Sequence, residues 1–516
     1  MSNVELIPVL LVVAPILLAT LPIVLGLRFE RTGWSVTALT TTGLFAASLI
    51  LAQRVYSTQS AEIYGLGGWD EQFGIVLIAD QLSMLIVVLI TATAAGLLAF
   101  TRLAGPRGNT FYTGYLLLVG GLLGLTLTGD VFNMFVFLEI VGLGTYALIS
   151  SGDGPESAVA ALKYLILGTV GASIYLIGVG FLFMATGTLN MMELADVIQN
   201  GGLDDQQLNL IRAAFAFMFV GFAIKVAQWP LHTWQPDAYQ HAPDGVTPLI
   251  AALVSTVSAY ALARIMFDVF GPEFLIQTPY AREIVVTVGS ISVIAGSTLA
   301  VIQQDVKRML AYSSVSQFGL VVAAYGVVTE TALTGAIIHL IGHGVMKAGL
   351  FVAAGVIAIG YGARTVDEYA GLAHHRPVPA AGMAVLLIAL IGIPPSVGFI
   401  GKWYIAVGAV EAQAWSVAAV IFLSTMLTLA YAARLLEKMY FTPARNVDPG
   451  SHRSTDAGSP VATDGGASSQ TRGSPDAVSL GMLALVVSVA IIAVILGFAG
   501  DVFFELLEPF VDEVFN

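Results

Sequence analysis

Three lysines stand where a lipid bilayer disfavours them. Lys225 ends the apolar run from Ala213 to Ile224 and comes just before Pro230, Lys347 lies near the centre of an apolar stretch over 332–360, and Lys402 follows the Pro394-Pro395 pair. An ammonium at the middle of a spanning helix costs roughly 2.5–3.5 kcal/mol on insertion scales. The chain has only six lysines (163, 225, 307, 347, 402 and 438), so half of them carry that cost. Such charges point to an ion path rather than to packing. Glu139 is the acidic counterpart, with no other charge between Asp130 and Asp153. A buried carboxylate needs a cation or a proton, and Lys225 is its first candidate partner.

His339, His343 and Lys347 follow one another at i, i+4 and i+8 and so share one helix face. An imidazole with an unperturbed pKa of about 6.5 can accept and return a proton, which makes this a titratable stripe. Two histidines four apart could also hold a metal, but the chain has no cysteine and no acidic motif of the zinc-hydrolase type beside them, so no metal is expected. His232, next to the Pro230 break, fits a proton path and helix-break hydrogen bonding equally well. Asp130 and Asp305 sit at helix ends and read as structural. Prolines 230, 394 and 395 each remove a helix hydrogen bond, and membrane helices broken in this way are tolerated where they line a hydrated cavity.

The elements that must carry these groups are membrane helices. Of the 516 residues, 57% are hydrophobic and 11% charged, with a mean hydropathy of +0.85. An ordinary soluble domain carries about 25% charged residues. Apolar runs long enough to cross a ~30 Å hydrocarbon core recur along the whole chain. Bounded by charges, Gly and Pro, they give fourteen spans: 5–26, 34–53, 79–102, 112–128, 131–151, 160–186, 210–228, 246–268, 282–304, 308–329, 332–360, 380–408, 415–438 and 478–499. Met1 to Glu5 lack the basic region of a cleaved signal peptide, so the first run counts as a helix.

Lys and Arg concentrate in cytoplasmic loops. Here most of the 21 basic residues fall in or beside odd-numbered loops, with Arg54, Arg212, Arg264 and Arg282 assigned to even ones. Both termini are therefore expected outside. Residues 446–477, rich in Gly, Ser, Asp and Pro, read as a disordered cytoplasmic linker. A net charge of −13 argues against nucleic acid and against docking on anionic lipid through a basic patch. The Lys-poor, acid-rich surface suits a high-salt habitat. No phosphate-binding loop and no dinucleotide fingerprint occurs, and without cysteine there is no iron–sulfur or thiol chemistry, so no cofactor is expected.

The motifs FNMFVFLEI (132–140), KVAQWPLHTWQPDAYQHAP (225–243), DVKRMLAYSSVSQFG (305–319), HLIGHGVMKAGLF (339–351) and GIPPSVGFIGKWY (392–404) resemble the antiporter-like proton-translocating subunits shared by Mrp-type cation/proton antiporters and respiratory complex I. The pattern looks most like the D-type subunit of Mrp sodium/proton antiporters, with the N-type subunit of complex I next. The resemblance implies an all-α polytopic fold of about fourteen transmembrane helices in the cell membrane. Two inverted five-helix repeats, helices 4–8 and 9–13, would each contain a discontinuous helix, 7 and 12. The divisions that follow are 1–110, 111–271, 272–445, the linker 446–477, and 478–516. The resemblance further implies that Glu139 and Lys225 gate proton transfer, that Lys347 is the central residue of the path and that Lys402 is its terminal lysine. The partners it implies are the other subunits of a hetero-oligomer, with protons and sodium as cargo; the alternative is a complex I or membrane-bound hydrogenase module. One departure stands out: many such subunits have a lysine in helix 8 where this chain has Thr256.

Overall fold

Side-chain caps and apolar runs set the helices. Asp80, Asp130, Asp204, Asp305, Thr329, Ser396 and Ser479 each accept a hydrogen bond from a backbone N–H of the first turn that follows, satisfying donors a helix start leaves free. The computed structural model describes residues 6–29, 32–66, 75–106, 108–443 and 477–515. The linker expected over 446–477 lies outside these, Ala477 excepted.

Thirteen helices among the described residues are long and apolar enough to cross a membrane. They are α1 (Ile7–Gly26), α2 (Gly33–Thr58), α3 (Gln81–Ala104), α4 (Asn109–Leu127), α5 (Val131–Ser150), α6 (Pro155–Thr186), α7a (Asp205–Lys225), α8 (Thr247–Gln277), α9 (Ala281–Ile302), α10 (Val306–Val327), α11 (Glu330–Tyr361), α13 (Trp415–Tyr440) and α14 (Leu480–Phe498). The span expected over 380–408 is two shorter helices, α12a (Pro377–Ile391) and α12b (Val397–Glu411), and counting them as one crossing makes fourteen. α7a likewise continues, beyond a break, into α7b (Trp234–His241). An amphipathic helix, α15 (Gly500–Phe515), follows α14, and a hairpin of β1 (Glu62–Gly65) and β2 (Val76–Ala79) precedes α3.

The backbone shows two halves of opposite direction. An isolated bridge joins Asp130, the cap of α5, to Asn190 beyond α6; another joins Asp305, the cap of α10, to Thr365 beyond α11. α6 and α11 are each 32 residues long. The first bridge lies with the even-numbered loops, where Gly129 N–H donates to Val76 O at 2.8 Å, and the second with the odd-numbered loops, where Gly371 N–H donates to Lys438 O at 3.1 Å. A five-helix unit repeated once along the chain must invert, because an odd number of crossings returns the chain on the other side.

Lys163, counted with the adjoining odd loop, lies near the start of α6, its Nζ 2.6 Å from Asp237 of α7b. One basic residue lies elsewhere than the loop assignment put it. Arg264 is buried in a π-helical turn of α8, paired with Asp80 and Asp268, so it reports on packing rather than orientation. On the odd-loop face, Asp244 holds Lys307 at 3.2 Å and Arg364 at 2.9 Å, tying the end of α7b to the start of α10. Burial alone would push the Asp244 carboxyl up, but the Lys307 ammonium and the Arg364 guanidinium outweigh it and hold the group below the ordinary carboxylate range. A depressed carboxylate contributes stability that is fully present above its unfolded value of ~3.9 and is lost as pH falls through the lower folded value. Asp244→Asn leaves Lys307 a buried cation short of a partner and should cost about 3–5 kcal/mol. Thermal unfolding of the assembled complex at pH 7, pH 4 and about pH 2 checks both statements: the gap between parent and variant should be nearly as large at pH 4 as at pH 7, and should narrow only in stronger acid, as pH falls through the folded value.

Candidate functional site

α7 and α12 break at the prolines noted in the sequence: the backbone leaves α7a after Lys225 and α12a after Ile391, and the Trp229–Pro230 and Pro394–Pro395 peptides are both cis. Each break frees helix carbonyls. In α7 the Trp234 indole N–H caps Ile224 O at 2.8 Å; in α12 the Lys402 ammonium donates to Leu390 O at 3.1 Å and Ile391 O at 3.0 Å. Lys402 thus lies against the negative end of the α12a dipole, and Lys225 is itself the last residue of α7a, where the same dipole favours a cation.

Glu139 of α5 and Lys225 line one cavity with Tyr164, Gly168 and Thr169 of α6, with room for about one water (about 10 Å³). The two charges face this cavity without closing an ion pair, so the contact expected from the sequence is a shared chamber. A methyl placed on Gly142 or Gly168 would come within 3.7 and 3.5 Å of Lys225 Nζ, ordinary contact distance, so both glycines border the amine. Glu139 is half-buried and Lys225 buried.

The stripe on α11 is real and fully enclosed: His339, His343 and Lys347 are 0%, 1% and 0% exposed. His339 Nε2 lies 2.9 Å from Gln317 Oε1 of α10, and the His343 ring packs edge-on against Phe318 with centroids 4.5 Å apart. Lys347 Nζ donates to Leu310 O at 2.8 Å and to the Ser313 hydroxyl. α12b reaches this stripe because Gly401 sits where any Cβ would come within 2.6 Å of His339 Cα; close approach of small residues is how membrane helices pack. His232 stands apart, buried at the α7 break with its ring 5.9 Å from that of Tyr312.

Unpartnered polar atoms fill the interior between these groups. Both side-chain atoms of Gln228, Gln235 Oε1, Thr256 Oγ1, Gln317 Nε2, His339 Nδ1 and both His343 ring nitrogens are buried without a hydrogen bond among the described residues. Gln235 Nε2 donates to Tyr239 Oη at 3.1 Å and to Ser255 Oγ at 3.0 Å, linking α7b to α8 beside Thr256. Buried groups of this kind are normally satisfied, so a cluster of open ones marks a seam suited to water and proton movement. The sequence reading missed the glutamines and Ser313. Their signal was present, since uncharged polar residues recur in the apolar spans, but a buried amide costs far less than a buried charge and stands out less.

Among the described residues no cluster of His, Cys, Asp and Glu is arranged to hold a metal. Residues 128–428 match the family model described as NADH:quinone oxidoreductase/Mrp antiporter, transmembrane. The chain is 37% identical over 463 residues to the N-type subunit of the NADH-quinone oxidoreductase of Desulforudis audaxviator, covering 86% of this chain and 90% of the relative. It is 31% identical over 457 residues to the D-type subunit of the Na(+)/H(+) antiporter of Bacillus subtilis, covering 88% and 90%. Its fold superposes on a chain of the Mrp complex from Dietzia sp. with a TM-score of 0.87 at 25% identity, covering 100% of this chain and 98% of that one.

Proposed function

This chain belongs to the NADH:quinone oxidoreductase/Mrp antiporter family, and on that premise we propose that it is the proton-carrying membrane subunit of a multi-subunit sodium/proton antiporter. The observation that carries the reading is the enclosed row of Lys225, Lys347, His343, His339 and Lys402, charged or titratable groups kept in the membrane interior at high cost. Glu139 and Lys225 form the entry chamber, the α11 stripe the centre and Lys402 the far end, with the two halves at 111–271 and 272–445 each contributing a broken helix. His232 sits beside the row. Protons pass between amines and imidazoles through hydrogen-bonded water and amides. The odd-loop face, carrying most of the arginines and lysines, is cytoplasmic. Other subunits of a membrane complex cover the half-buried Glu139 and supply or receive the cation.

Thr256 lies fully buried on α8, which packs against both α7a and α11, and its hydroxyl is free to hydrogen-bond, so a neutral relay takes the place of a charged one. Thr256→Val keeps the shape and removes the hydroxyl. It should lower proton flux severalfold, about 1 kcal/mol of barrier for a lost hydrogen bond, with unchanged assembly.

A second reading, a proton-pumping module of a redox-driven oxidoreductase, is favoured by the 37% identity to the N-type relative. The complex reconstituted in liposomes separates the two. A sodium gradient alone should drive proton movement if the antiporter reading holds; movement that requires an electron donor and quinone transfers the chain to the second.

A further inference from the structure

α13 presents a polar stripe inward that no part of the row above uses. Ser424, Thr428 and Tyr431 recur at i, i+4 and i+7 and are 1%, 0% and 0% exposed, on a helix whose other side is largely open to lipid or to neighbouring subunits. The Tyr431 hydroxyl faces the hydroxyls of Thr428 and of Ser313 on α10 without closing a hydrogen bond to either. Ser313 is the residue that accepts a hydrogen bond from Lys347 Nζ, while its own proton goes to Leu310 O at 2.8 Å. One lone pair of Ser313 is therefore left for Tyr431. Thr428 donates to Ser424 O at 2.8 Å, which leaves its own oxygen available to Tyr431 from the other side, and the Ser424 hydroxyl has no partner. Three buried hydroxyls on one face of a membrane helix, two of them unsatisfied, are costly unless they do something.

We propose that Tyr431 and Ser313 form a hydroxyl relay through which Lys347 exchanges its proton along α13. The inference rests on reading the buried row as a proton path. In the loading step the neutral Lys347 amine takes the Ser313 proton, Ser313 oxygen takes the Tyr431 proton, and Tyr431 oxygen takes one from the Thr428 hydroxyl, which regains it from a hydronium ion that is left behind as neutral water. One proton enters at the Thr428 end and one arrives on the amine, with every hydroxyl neutral before and after. Unloading runs the same steps backward. Because α13 runs from the even-loop face at Trp415 to the odd-loop face at Tyr440, the sequence Tyr431, Thr428, Ser424 leads from Lys347 toward the even-loop face. Lys347 thus has an outlet that does not pass through Lys402.

Tyr431→Phe removes one hydroxyl and little else, whereas Ser313→Ala removes one together with an acceptor of the Lys347 ammonium. In the intact complex in liposomes, each should reduce proton flux by at least about tenfold, the low side of what a positioned proton-transfer group contributes. Links in one series fail together, so the double variant should be no slower than the worse single one, whereas two packing defects would multiply. The solvent deuterium isotope effect on flux should rise in Tyr431→Phe, a readout that loss of packing does not move. Parental flux with a parental isotope effect in Tyr431→Phe, or multiplicative losses in the double variant, overturns the relay. Should Tyr431→Phe assemble poorly, flux per assembled complex in Thr428→Val, a link of the relay that makes no contact with Lys347, decides: a parental rate overturns the relay. Glu139→Gln measured alongside keeps the two levels apart: if it conducts as the parent does, the path itself is misread, and if it is silent while Tyr431→Phe conducts normally, only the relay fails.

Discussion

Glu139→Gln and Lys225→Ala should each bring cation-dependent proton flux down to the leak of empty liposomes, a loss of about a hundredfold or more, while the complex still assembles. Glutamine has the shape of glutamate and cannot carry the proton. Alanine removes an amine that makes no ion pair among the described residues and borders a cavity with room for about one water, so no buried acceptor or carboxylate loses a bonded partner. Both changes leave the Trp234 cap on Ile224 O intact, and the α7 break should therefore keep its form. The measurement is flux per assembled complex under a sodium gradient, with assembly quantified by gel filtration of the detergent-solubilised complex. Parental flux in both variants would show that the chamber between α5, α6 and α7a is not the entry to a proton path.

Lys347→Met should abolish transport and leave stability unchanged or higher. The ammonium is fully enclosed, and its two acceptors, Leu310 O and Ser313 Oγ, offset only part of the roughly 2.5–3.5 kcal/mol that a lysine costs at the centre of a spanning helix. Methionine is close in volume, flexible enough to fill the space and free of that cost. After the change Leu310 O still accepts from the Ser313 hydroxyl at 2.8 Å, so no buried acceptor is orphaned. A group kept against the interest of stability is retained for function. Thermal unfolding and proton flux of the same preparation settle it: a variant that conducts normally, or one that unfolds well below the parent, makes Lys347 a structural cation.

Much of this site was legible because charge is so conspicuous in an apolar chain. Lys225, Lys347, Lys402, Glu139 and the histidine pair were each visible as an exception to their surroundings, and the i, i+4, i+8 spacing placed three of them on one helix face that the structure confirms. The partners were not legible. Gln317 beside His339 and Ser313 beside Lys347 lie on α10, and which residue of one helix meets which of another depends on tilt and rotation that periodicity does not carry. Arg264 misled for a related reason: a charge near the end of an apolar run looks like a loop residue, and only Asp80, far away in the sequence, makes it a buried one.

The sequence alone determined that the chain crosses the membrane many times, where its helices break and which ionisable groups are held inside, because each follows from local transfer cost and from the hydrogen bonds that proline removes. The tertiary structure decided the rest. It turned the expected Glu139–Lys225 pair into a shared chamber, set Lys402 on the freed carbonyls of α12a, and gathered the glutamines and hydroxyls of α7b, α8, α10 and α13 around the charged row. Those outcomes depend on how closely helices approach, fixed at places such as Gly401 against His339 by the absence of a single side chain, and such contacts between distant parts of the chain have no local signature.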